Sequence, residues 1–257
     1  MDYEARGFRL TELMKEVPTK ISLQPDPYVQ SYRDRIAYAN EVRRLLGDDA
    51  LASLAISAIR SFRANERKKR KALNGDEQDN GDEPDSDESA EEAPLPKQAY
   101  IIRQIKRPEE VALLRGVYGR QFILVSAYAP QEARKRRIDA LERRSRGGLI
   151  SEVEASSLAH ELVVQDAKES LDKHGQNVRD AFPLGDVFID ATSRGSCEAM
   201  VRRFVNLLFG SNEVTPTHDE YGMYIAKSAS LRSSDLSRQS GRRNFSRIGR
   251  GRYAGVQ

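Results

Sequence analysis

Three histidines, one cysteine and an arginine-rich run are the residues of this chain best suited to chemistry. The histidines are His160, His174 and His218, and Cys197 is the only cysteine. A zinc centre of the nucleobase-deaminase kind takes a His and two Cys as ligands, with a Glu that moves protons to and from the metal-bound water. None of these histidines is followed by x-Glu, and no Pro-Cys-x-x-Cys run occurs. No residue is therefore assigned to a metal or to catalysis. His160 and His174 are expected on helices. His218 beside Asp219 and Glu220 reads as a helix N-terminus, and Cys197 as a small packing residue near a helix start. A phosphate-cradling G-x-x-x-x-G-K-[ST] loop is also missing. Gly7 stands alone after Arg6, and Gly147-Gly148 reads as a connection between helices. What remains is the basic helix ARKRRIDALERRSR. Arg134, Arg136 and Arg137 are its candidate phosphate contacts, in the way that lid-helix arginines clamp a transferred phosphoryl group. The competing reading is a solvated helix in which Glu132, Asp139 and Glu142 pair its arginines. Arg232, Ser237 and Arg238, in LRSSDLSRQ, are further candidate nucleotide contacts.

Such side chains need elements to hold them. The opening GFRL reads as a strand running into a short helix, TELMKEV. Ile36, Val42, Leu45, Leu46, Leu51, Leu54, Ala55, Ile56, Ala58 and Ile59 recur near helical spacing. Gly47-Asp48-Asp49 divides them into two helices, with an Asp available to cap the second. AYIIRQI alternates as a strand does. Pro108 suits a first helical turn, Glu109 and Glu110 follow it, and Gly119 is a C-terminal stop. QFILVSAYAP has the nearly continuous apolar run of a strand buried on both faces. A helix is expected from Ser151 to His174 through Val153, Leu158, Leu162 and Leu171. DVFIDAT is a third strand, CEAMVRRFVNLLFG a helix with an apolar face, and EYGMYIAKSASLRSSDLSRQ a last helix. Strands alternating with helices imply an α/β fold with one parallel sheet.

Composition limits the function classes. One cysteine excludes a disulfide framework, and no apolar run approaches the roughly 20 residues that span a bilayer. MDYEARGFRL lacks a signal-peptide apolar region, so a cytoplasmic setting without membrane attachment is expected. The net charge of +3 conceals separated blocks, with basic Arg67–Lys71 abutting the acidic run from Asp76 to Glu92. That acidic run ends in prolines and is nearly free of apolar residues, so it is expected to be a disordered insertion. Basic helices bind nucleic acid non-specifically, but no interleaved aromatics or recognised module accompany this one, and nucleic acid is not an expected partner.

The phrases AYIIRQIKRPEEVALLRGVYGRQFILVSAY, HGQNVRDAFPLGDVFID, RRFVNLLFG and TPTHDEYGMYIAKSASLRSSDLSRQ resemble bacterial proteins that fuse a nucleotide-kinase-like domain to a zinc-dependent deoxycytidylate-type deaminase. GFRLTELM and the helix pair ending in AIRSFR fit the same pattern. The resemblance implies a P-loop-kinase-like parallel sheet followed by the first helix of a cytidine-deaminase-like domain. It implies deoxycytidine nucleotides as ligands, and for some relatives a role in anti-phage defence. Zinc belongs to the intact family, and its ligands have no matching positions here, so no cofactor is expected. The implied organisation is a kinase-like part over 1–73 and 99–213, the acidic insertion over 74–98, the deaminase start over 214–239 and a disordered basic tail over 240–257. The chain reads as a fragment, without the phosphate loop that precedes GFRL in the family and without the deaminase centre. Its tail, SGRRNFSRIGRGRYAGVQ, reads as out of frame, an expectation that coding DNA tests. Alternatives are a nucleotide- or protein-binding module, or a nucleic-acid binder acting through that tail. Apolar Tyr221, Tyr224, Ile225 and Leu231 are expected to be exposed, which favours self-association.

Overall fold

A computed structural model describes residues 3–73, 94–168 and 174–231, with the backbone alone at 241–242 and 255–256. The chain divides into two units, Met1–Cys197 and Glu198–Gln257. Most of the expected acidic insertion and basic tail lies outside the described residues, as do Arg232, Ser237 and Arg238.

In the first unit, strand β1 (Glu4–Arg9) runs into α1 (Leu10–Leu13) and a 3-10 turn over Met14–Glu16. Helices α2 (Tyr28–Leu46) and α3 (Ala50–Leu73) follow. They are separated at Gly47, whose φ of 110° suits a residue without a Cβ. Strand β2 (Gln98–Arg103) then pairs parallel with β1, from Glu4 opposite Gln98 to Arg9 opposite Arg103. Leu10, Met14, Tyr38, Ala39, Val42, Ala50, Leu51 and Ala55 form the main core between α1, α2 and α3. Leu45 and Leu46 do not join it: each is 57% exposed at the end of α2.

Helix α4 (Pro108–Tyr118) begins with Pro108 and stops at Gly119, as expected from the sequence. Strand β3 (Val125–Tyr128), α5 (Gln131–Ser145), α6 (Glu152–Lys168), α7 (Val178–Ala181) and β4 (Val187–Asp190) complete the set. β3 pairs parallel with β4, from Val125 opposite Val187 to Tyr128 opposite Asp190. These strands are thus parallel, but among the described residues they form two separate two-stranded sheets rather than one. The fold is α/β and rich in helix.

Three further expectations are corrected. The apolar run QFILVSAY does not make a strand buried on both faces. Its residues Phe122–Leu124 precede the strand, and Val125 and Tyr128 are exposed because β4 is the one described strand paired with β3. Ser126 faces inward instead and donates to Phe182 O (2.9 Å), and a Cβ on Gly185 would overlap its hydroxyl. Along α6 the buried residues are Ala155, Ala159, Leu162 and Val163, whereas Val153 is 82% exposed, outside the apolar stripe. The helix is described to Lys168, and His174 lies in a turn rather than on a helix.

Helix α8 (Arg194–Leu208) crosses the division between the units, and α9 (His218–Ser230) belongs to the second. α9 opens with a capping box. Thr217 Oγ1 accepts from Glu220 N (3.2 Å), and Glu220 Oε2 accepts from Thr217 N (2.7 Å). Arg203 grips the same carboxylate with two bonds (2.7 and 2.8 Å). Such a two-pronged, charge-assisted contact fixes α9 to α8. Tyr221, Met223, Tyr224 and Leu231 are exposed, and Ile225 is half-buried. Two short strands, β5 (Gly241–Arg242) and β6 (Gly255–Val256), pair antiparallel. No described helix is long and apolar enough to cross a membrane.

Candidate functional site

The first unit carries a cleft of about 130 Å³ where β1 and β2 give way to the segments after them. Open parallel sheets present their ligand crevice at the carboxyl ends of the strands. Thr11 lies two residues beyond β1, and Gln104 directly follows β2. Thr11 Oγ1 donates to Gln104 Oε1 (2.8 Å). Gln104 has a φ of 77°. Such a left-handed backbone costs a residue with a Cβ about 1–3 kcal/mol. That strain turns the chain so that Ile105 packs against the main core while Lys106 borders the cleft.

Helix α2 supplies the facing wall. Tyr28, Tyr32 and Arg35 recur at i, i+4 and i+7 on it and so share one face. Lys106 Nζ donates to Tyr32 Oη (3.2 Å) and to Gln176 Oε1 (2.5 Å). It also lies 5.3 Å from the centre of the Tyr32 ring, within cation–π range. Arg35 Nε donates to Ser31 O (2.9 Å), so that bond leaves its charge uncompensated. Buried Leu10, Met14, Ala39 and Leu51 make the floor.

A buried ion pair underlies the cleft. Arg43 donates through Nε and Nη2 to Glu110 Oε1 (3.2 and 2.8 Å), with the two side chains 1% and 0% exposed. Arg43 Nη1 also donates to Asn40 Oδ1 (3.2 Å). The other oxygen of Glu110 accepts from the backbone N–H of Lys106 (2.8 Å) and Arg107 (3.2 Å). One carboxylate thus neutralises Arg43 and holds the backbone that presents Lys106.

Helix α5 reaches the same place because its end caps α2. Val29 N donates to buried Glu142 Oε2 (2.8 Å), and Tyr28 N to Ser145 Oγ (3.0 Å). Side-chain oxygens thus take up amides that a helix start leaves without partners. This brings Arg137 near Tyr28. Burial raises the Tyr28 phenol above its ordinary pKa and Tyr32 adds to the rise, while the charges of Arg35 and Arg137 oppose it. Burial disfavours the phenolate, and neighbouring cations favour it. The three arginines singled out from the sequence, Arg134, Arg136 and Arg137, are exposed on α5, and none is among the lining residues. Two expected pairings are present, Asp139 with Arg143 (3.7 Å) and Glu142 with Arg146 (2.7 Å).

The remaining candidates are placed as follows. His160 is exposed on α6, and Cys197 is half-buried on α8. His174 Nδ1 lies 3.0 Å from Asp48 Oδ1, and His218 opens α9. Among the described residues, no group of three His, Cys, Asp or Glu side chains is placed to hold a metal ion.

Sequence reasoning misses Lys106, Arg35, Tyr28, Tyr32, Gln104 and Gln176. Two signals are present: QIKR lies directly beyond a strand, and the two tyrosines and Arg35 repeat at helical spacing. No family model matches the chain, and no curated protein and no solved structure matches it.

Proposed function

We propose that this chain is a nucleotide-binding, kinase-like module of the deoxycytidylate-deaminase type, without deaminase chemistry of its own. The observation that carries the reading is the cationic cleft at the carboxyl ends of β1 and β2. Lys106 and Arg35 border it, and the charge of Arg43 is met by Glu110. A cationic rim over an apolar floor suits a ligand with an anionic end and a flat apolar body, as a nucleotide has. The alternation of parallel strands with helices, and the resemblance of TPTHDEYGMYIAKSASLRSSDLSRQ to a deaminase opening, support the same assignment. Deoxycytidine nucleotides are the ligand class it implies, and a P-loop-kinase-like ancestry is part of the proposal.

Zinc is the family's cofactor. Its donor set is a His and two Cys, and the 257 residues contain Cys197 alone. The residues do not fit that set, and no step is derived through the metal.

Two measurements on the full chain test the proposal. Calorimetric titration with deoxycytidine mono- and triphosphate should show saturable binding. Incubation with zinc and the same nucleotides should yield no deoxyuridine product by chromatography. Measurable product, or no heat with either nucleotide, contradicts the proposal.

A further inference from the structure

We infer that α8 is a membrane-contact helix that lies on an anionic lipid surface, with its apolar stripe against the acyl chains and the arginines of the second unit at the head groups. The inference is independent of the nucleotide reading, whose cleft lies in the first unit.

The apolar stripe comes from spacing. Cys197, Val201, Phe204, Val205 and Leu208 recur at i, i+4, i+7, i+8 and i+11 on α8, so they share one face. Arg202 and Asn206 lie on the opposite side. In a folded domain such an apolar face is ordinarily covered by the core. None of the described residues of α8 is buried. Val201, Val205 and Leu207 are exposed, and Leu208 is 53% exposed. A contiguous apolar face left in water marks a contact surface.

The kind of partner comes from charge. The second unit, Glu198–Gln257, holds ten Arg or Lys residues and five Asp or Glu. That excess of five positive charges is larger than the +3 of the whole chain, so the first unit is negative overall. The apolar stripe thus sits in the basic part of the molecule. An anionic lipid surface offers both complements at once, hydrocarbon for the stripe and negative charge for the arginines. A helix with one apolar face and cations on the other is the form that lies in the plane of a bilayer interface. The expectation of no membrane attachment rests on the lack of a spanning or leader segment, and a helix that lies on the surface needs neither. Leu207 and Leu208 are long apolar side chains at the end of that face, and their insertion adds to the attraction of charge.

The test is sedimentation of the full chain with two kinds of vesicle, phosphatidylcholine alone and phosphatidylcholine with about one-quarter phosphatidylserine. Affinity for the mixed vesicles should be at least about tenfold higher. It should weaken as salt rises. Leu208→Glu, which puts a charge into the stripe, should lower it about tenfold or more. Cooperative thermal unfolding confirms that the variant is folded. If Leu208→Glu does not fold, fluorescence decides. The chain has no tryptophan, so Leu208→Trp provides a single indole. Its emission should move to shorter wavelength on the mixed vesicles, whereas that of Asn206→Trp, on the polar side, should not. Equal affinity for the two vesicles, undiminished affinity in folded Leu208→Glu, or an unshifted Leu208→Trp emission overturns the inference. Self-association that Leu208→Glu abolishes, without vesicle binding, assigns the face to a second copy and overturns it as well.

Discussion

Asp48 Oδ1 lies 3.0 Å from His174 Nδ1, joining the turn between α2 and α3 to a segment 126 residues away. The other oxygen of Asp48 is 3.6 Å from Arg107 Nη2. Arg107 in turn donates to Gly175 O (2.8 Å), and Asn177 N donates to Lys106 O (3.0 Å). These bonds seat the segment from His174 to Asn177 against the chain beyond β2, and so place Gln176 beside Lys106. The sequence offers an Asp of Gly47-Asp48-Asp49 as a helix cap, and the carboxylate of Asp48 makes this longer-range connection.

Replacement of that carboxylate tests the connection. Asp48→Asn keeps the size and removes the charge, so it should lower stability by about 1–2 kcal/mol. It should also weaken dCMP binding, because Gln176 loses its anchorage. Urea unfolding and calorimetry measure the two effects. Unchanged values in both would mean that the contact has no structural weight.

The pair beneath the cleft is predicted to be far more sensitive. Glu110→Ala leaves the guanidinium of Arg43 buried without its carboxylate, a change that typically costs about 3–5 kcal/mol. Removal of the carboxylate also takes the acceptor from the N–H groups of Lys106 and Arg107. Denaturant unfolding reads the loss directly, and a cost under about 1 kcal/mol would contradict the burial described for this pair.

Acid should loosen the second unit through Glu220. Its carboxyl is held below the ordinary range, first by the Arg203 hydrogen bonds and then by the Thr217 N–H. A depressed native pKa means that the contribution is present above the unfolded carboxylate value, about 4.3, and is lost as pH falls through the native value. The pair is partly exposed, so the effect is small. Protection of the first amides of α9 against hydrogen exchange, taken relative to a free peptide at the same pH, should fall below about pH 4 in the unaltered chain. In Glu220→Gln it should already be low at neutral pH. Protection insensitive to both changes would show that the carboxylate does not hold α9.

Exposed apolar side chains on α9 should drive association. Met223 is 71% exposed and Tyr224 68%. Sedimentation velocity over a concentration series should show self-association that Met223→Lys and Tyr224→Lys reduce. A concentration-independent monomer would refute it.

The helices and strands are largely legible in the sequence because their signals are local. Pro108 and Gly119 bound α4 as their backbone chemistry requires, and Asp219 and Glu220 mark the opening of α9. The sheet is not legible. The apolar run at Phe122–Leu124 suggests a central strand, yet those residues fill space ahead of β3. The cleft is harder still. Thr11, Tyr28, Arg35, Gln104, Lys106 and Gln176 come from distant parts of the chain, and folding alone brings them together. Arg137 is recognisable as a basic residue, but its nearness to Tyr28 depends on Glu142 and Ser145 capping α2. The left-handed turn at Gln104 has no signature in residue type.

The central claim is that the cleft beside Lys106 binds a nucleotide. It is tested most directly by calorimetric titration of dCMP into the full chain and into Lys106→Met. Saturable one-site binding, weakened about tenfold or more in the variant, is the predicted result. No binding by the unaltered chain, or equal affinity in the two proteins, would contradict it.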